Sequence, residues 1–119
     1  MTATTPLSKY FYGLFGIGGG LLSNTITKTT SYTIDSGSLP DHVILCNFSV
    51  AGSVTLPVPT AGRTLTIKDI SGSAGTNNIT VSHHSSELID GASSYIILTN
   101  YGAVNLVSDG ANWYIETSH

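Results

Sequence analysis

From Thr29 onward the chain keeps returning to one pattern: a run of five or six residues rich in β-branched and aromatic side chains, closed by Gly, Pro, Asn or Asp. Such runs are too short for helices, and no period of three to four residues survives across them, so the pattern predicts short strands joined by tight turns. Strands are expected at Thr30 to Ile34, His42 to Asn47, Ser53 to Leu56, Thr64 to Asp69, Asn78 to Ser82, Tyr95 to Thr99, Ala103 to Ser108 and Asn112 to Glu116. The alternation is clearest from Thr64 to Asp69, where Leu65 and Ile67 would face a core and Thr64, Thr66 and Lys68 would face water. Pro57 and Pro59 withhold backbone donors just after Leu56 and must end that strand. Asp109-Gly110 lies between two such runs and predicts a hairpin with a short turn. The expected fold is therefore all-β: an antiparallel β-sandwich or barrel-like domain of about eight short strands.

The first two dozen residues do not share this pattern. Leu7 to Leu22 reads LSKYFYGLFGIGGGLL, which is apolar, aromatic and interrupted by Gly13, Gly16, Gly18, Gly19 and Gly20. The run is shorter than the roughly 20 residues of a spanning helix, and glycine weakens any helix it forms, so no membrane span is expected. It carries no positive charge before Lys9, and no small-residue cleavage pattern follows Leu22, so a secretory signal is not expected either. Neither phosphate-cradling glycine pattern is present. A contiguous apolar patch exposed to water usually marks an interaction surface. Residues 1–24 are accordingly expected to form an anchoring arm that docks on a larger assembly or on sister subunits through Tyr10, Phe11, Tyr12, Leu14, Phe15, Ile17, Leu21 and Leu22. Residues 25–119 would form the β-domain.

Composition narrows the function classes. Only 9% of residues are charged against 40% hydrophobic, where an ordinary soluble domain carries about 25% charged residues. Serine and threonine, about a quarter of the chain, must keep the surface wet. The net charge is -3 with four cations, Lys9, Lys28, Arg63 and Lys68. That leaves no basic patch to neutralise a run of phosphates, so nucleic acid is not expected as a partner. The single cysteine, Cys46, excludes an intrachain disulfide and sits in an apolar run, where a buried, inert thiol is the plainer reading.

Two long stretches carry a resemblance. VTLPVPTAGRTLTIKDISGSAGTNNITV, from Val54 to Val81, and LIDGASSYIILTNYGAVNLVSDGANWYI, from Leu88 to Ile115, resemble a β-rich module of phage virion proteins found in tail fibres, head fibres and capsid-associated proteins. The features that carry it are Leu56-Pro57, Ala61-Gly62-Arg63, Ile67-Lys68-Asp69, Asn78-Ile79-Thr80, Ile89-Asp90-Gly91 and Ser108 to Trp113. The resemblance covers most of residues 43–116 and leaves out the arm. It implies a structural component of a virion, assembled in the host cytoplasm: a capsid decoration or fibre subunit, working as a homotrimer whose partners are capsid or tail proteins. The alternative it allows is a receptor-binding module whose outer loops, Ser82 to Glu87 or Ser36 to Asp41, recognise a host-surface glycan. A depolymerase is the third reading.

A search for chemistry favours the architectural role, with no enzyme activity, metal or cofactor expected. His83 and His84 are neighbours that a strand would send to opposite faces, and no Cys or carboxylate lies at ligand spacing around them. A symmetric trimer could gather three copies of one histidine on its axis, but an exposed loop is the plainer reading. No G-x-S-x-G elbow occurs. Most carboxylates fall beside turn residues, where they would cap turns and would not flank a scissile bond. Tyr95, Tyr101 and Tyr114, with Trp113, could form a sugar-stacking surface and are the candidate receptor contacts, although core or interface packing fits their strand spacing better.

Overall fold

A computed structural model describes residues 24–35 and 41–119. The arm residues, and residues 36–40 of the expected loop from Ser36, lie outside the described residues. Those described form nine strands and no helix, in the all-β class the sequence predicts. The strands are β1 (Asn24–Lys28), β2 (Tyr32–Thr33), β3 (Asp41–Cys46), β4 (Gly52–Thr55), β5 (Thr64–Asp69), β6 (Ile79–Ser82), β7 (Ser94–Ile97), β8 (Ala103–Ser108) and β9 (Trp113–Ser118). Eight correspond to expected strands. The ninth, β1, begins where the reading put its boundary; it carries a single apolar residue, Ile26, in a run of Asn, Thr and Lys, too little alternation to stand out.

Two sheets enclose the core. One runs β9-β8-β5-β3-β1, the other β2-β4-β6-β7. The expectation of antiparallel pairing is corrected here, since both sheets are mixed. β1 with β3, β3 with β5, β2 with β4 and β4 with β6 are parallel. Only β6 with β7, β5 with β8 and β8 with β9 are antiparallel. The cause is the route of the chain. From β1 to β6 each strand passes to the opposite sheet, so when the chain returns it lies parallel to the strand it left. Thr25 sits beside Val43 and Val43 beside Thr66, so successive turns of this winding consume 18 and 23 residues. After β6 the chain reverses: β7 doubles back on β6, β8 on β5, and the β8–β9 hairpin completes the larger sheet.

Strict alternation fixes what each sheet buries. In β5, Leu65 and Ile67 point inward and Thr64, Thr66 and Lys68 outward, as expected, and the same alternation turns Asp69 inward too. Ile44, Cys46, Val104 and Leu106 from the same sheet meet Val54, Leu56, Ile79, Val81 and Ile97 from the other. Trp113, fully buried, packs in this cluster with Ile89, and its backbone N–H donates to Leu88 O at 2.9 Å. Burial of the Cys46 thiol, with the Asp69 charge adding to it, pushes its pKa up to about 12, so it stays protonated and behaves as a small apolar side chain. The Asp109-Gly110 hairpin forms with Gly110 at φ +98°. The Asp109 carboxylate accepts from the N–H groups of Ala111 and Asn112, both at 2.8 Å.

Candidate functional site

The parallel ladder of the smaller sheet does more than close the core. Beyond the strand ends, Ile34 N–H donates to Thr55 O and Leu56 N–H to Ser82 O, each at 2.9 Å. These bonds extend the register past β2, β4 and β6 and bring Ile34-Asp35, Leu56-Pro57-Val58 and His84 together. They line an open groove of about 400 Å³ with Tyr32 and Thr33. Ile34, Leu56 and Pro57 are buried, while Asp35, Val58 and His84 are exposed. The groove thus has an apolar floor and a polar rim.

One wall is braced by a buried acid. Asp41, 3% exposed, accepts from Asn24 Nδ2 at 2.6 Å and from the Tyr32 hydroxyl. Burial, then the hydrogen bond to Asp41 and the charge behind it, pushes the Tyr32 phenol up to about 12. The Lys28 ammonium lies 4.3 Å from the Tyr32 ring centroid. Arg63 Nη2 donates to the backbone carbonyls of Asp35 at 2.9 Å and Asp41 at 3.0 Å, which fixes the chain at both ends of segment 36–40.

The opposite rim is held by a second buried carboxylate. Glu87 accepts from the backbone N–H groups of His84 at 2.6 Å and Ser85 at 3.0 Å, and His83 Nδ1 lies 3.0 Å from Glu87 O. Burial raises the Glu87 carboxyl, but its own backbone N–H, then those of His84 and Ser85, together with the neighbouring His84 charge, outweigh it and hold the group below its ordinary value. Asp69 plays the same part at a corner away from the groove. It is 1% exposed and accepts from Ser71 N–H at 2.9 Å, Ser71 Oγ at 2.7 Å, Ala74 N–H at 2.9 Å and Tyr101 N–H at 3.0 Å.

The three tyrosines expected as receptor contacts are not brought together. Tyr95 faces inward and packs against the core. Tyr101 takes a left-handed backbone at φ +61° and lays its ring over Gly72, where a Cβ would stand 2.5 Å from Tyr101 Cζ. Tyr114 projects outward from β9 and donates to Asp109 at 3.1 Å. It sits beside Val107 at one end of β8, whereas Tyr101 precedes the other end at Ala103, roughly 13 Å away along the strand. Of the expected glycan-contact loops, Ser82 to Glu87 reaches the groove through His84; Ser36 to Asp41 falls outside the described residues except for Asp41. The groove itself was missed, because its lining comes from three strand ends that only the parallel register makes neighbours. Among the described residues no group of three or more His, Cys, Asp or Glu side chains could hold a metal ion, and no helix is long and apolar enough to cross a membrane. No family model matches the chain, and no curated protein is significantly similar to it.

Proposed function

We propose that this chain is an architectural subunit of a phage-type virion, a capsid decoration or fibre protein that acts as an oligomer, by its resemblance a homotrimer, and is anchored through residues 1–24. The observation that carries this reading is what the residues of the resembling module do in the fold. Ile67, Ile79, Ile89 and Trp113 are buried core; Asp69 gathers a corner by four hydrogen bonds; Gly62, Gly91 and Gly110 hold positive φ in turns. Each has a structural duty, and none points a reactive group at a shared centre. A surface wetted by hydroxyls suits a particle component that must resist nonspecific association, and the apolar arm supplies the contact such a component needs.

The arm carries the test. The full-length protein should co-sediment with the particles that incorporate it, and a chain beginning at Asn24, which keeps β1 and the Asn24–Asp41 hydrogen bond, should fold, with the same β-type circular dichroism, yet fail to co-sediment. Retained attachment of the shortened chain would remove the anchoring role.

A further inference from the structure

Among the described residues the winding that builds both sheets starts at β1 and β2, and it leaves that end open. β2 is bonded only to β4 in the smaller sheet, and β1 only to β3 in the larger. Because Ile34 N–H turns toward Thr55 O, alternation along a parallel strand turns the N–H and C=O of Thr33 the other way, to the free edge. The inward rows are open at the same end. Ile44 and Ile67 are fully buried, but Ile26, beside Ile44, is only half-buried. Val54 and Val81 are fully buried, but Tyr32, beside Val54, is only half-buried. Tyr95 and Ile115 are half-buried at the far end of the sheets, but their strands have described chain on both sides, whereas β1 is entered from residues 1–23.

The residues before β1 carry the pattern of one more turn. In the smaller sheet Tyr32 and Val54 are neighbours 22 residues apart, and one such step back from Tyr32 falls on Tyr10. The crossings from the smaller sheet to the larger take seven residues, 34–40, and eight, 56–63; a crossing of eight that ends before Asn24 places the close of the preceding strand at Phe15. Tyr10 to Phe15 reads YFYGLF, uncharged and rich in the aromatic residues that favour strands, and Gly16, Gly18, Gly19 and Gly20 all fall in the crossing. We propose that Tyr10 to Phe15 adds to the free edge of β2 of its own chain as a parallel strand and closes the core over Tyr32 and Ile26. In that register Phe11 stands beside Thr33, whose N–H donates to Tyr10 O and whose C=O accepts from Tyr12 N–H. Tyr10 turns inward beside Tyr32, where a second ring suits the Lys28 ammonium that lies 4.3 Å from the Tyr32 ring centroid. Phe11 and Phe15 turn outward, so the added strand belongs to the free protein and stands whether or not a particle takes the arm up.

Two measurements on the full-length protein test this. With Phe11→Cys and Thr33→Cys in one chain, the two thiols would sit on adjacent strands within disulfide reach, and mild oxidation in dilute solution should link them within the chain. Phe11→Cys with Glu116→Cys, exposed on β9 at the far edge of the larger sheet, should stay reduced, and the native Cys46 is buried. Amide hydrogen exchange reads the same contact without a new thiol. The Thr33 amide should exchange at least about tenfold slower in the parent than in Tyr12→Pro, which withholds the N–H that Thr33 O accepts and blocks strand addition, while Leu65 to Lys68 stay equally protected in both. The proposal is overturned if the 11–33 pair stays reduced, if it links only between chains, which would make a sister subunit's arm the occupant, if the 11–116 pair links as readily, or if Thr33 exchanges alike in the parent and Tyr12→Pro.

Discussion

At the scale of single residues, this fold leans on buried carboxylates that act as acceptors for the backbone. Asp69 is the clearest. Its removal in Asp69→Ala would leave the N–H groups of Ser71, Ala74 and Tyr101 without their acceptor, and a buried donor so stranded costs about 1–3 kcal/mol. Only the Ala74 donor is buried, so a loss of about 1–3 kcal/mol is expected in denaturant unfolding, with Asp69→Asn, which keeps one oxygen, falling between the parent and Asp69→Ala. Burial raises the Asp69 carboxyl, but the hydrogen bonds from Ser71, Tyr101 and Ala74 outweigh it, so the folded value lies below the ordinary one. Because the folded value is depressed, the stabilisation is complete above the unfolded value of about 4 and drains away as pH falls through the folded one. Unfolding midpoints measured from neutral pH downward should therefore drop in acid, and drop less for Asp69→Asn. An equal drop in both proteins would show that Asp69 is not the linked group.

At the scale of elements, the strands were legible in the sequence and their partners were not. The runs around Thr64 to Asp69 and Ala103 to Ser108 carry alternation strong enough to set their bounds to the residue. Pairing direction has no such local mark. Nothing in Pro57 to Gly62 says that it carries the chain from the smaller sheet to the larger, and outward-facing Thr64 and Thr66 give β5, parallel to β3, the same alternation an antiparallel strand would show. The groove was hidden for the same reason, since Ile34, Leu56 and His84 meet only through long-range register. Where the tyrosines point was not legible either, because residue type says nothing of facing: alternation turns Tyr95 inward, and the left-handed backbone at Tyr101 folds its ring onto Gly72. The topology also orders stability. β5 is bonded on both sides, to β3 and β8, whereas β1 is bonded only to β3 among the described residues. Hydrogen exchange of the full-length protein should put the amides of Leu65 to Lys68 in the slowest class and those of Thr25 to Thr27 among the fastest of any strand. Equal protection of the two would mean that the outer edge of β1 is covered.

At the scale of the whole molecule, the winding leaves strands with unpaired edges at both ends of each sheet among the described residues. Unguarded edges are a hazard for a free monomer. β7, with Ile96 44% exposed and Leu98 just beyond it 61% exposed, carries neither charge nor proline to blunt it. Such a surface is easier to reconcile with a subunit held among its own copies on a particle than with a solitary soluble catalyst. Cryo-electron microscopy of the intact particle tests this most directly. The account predicts density for the two-sheet domain at symmetry-related positions on a capsid or tail, joined to it by the residues before Asn24. Particles purified to homogeneity from cells that produce the protein, and found to lack it, would contradict the account.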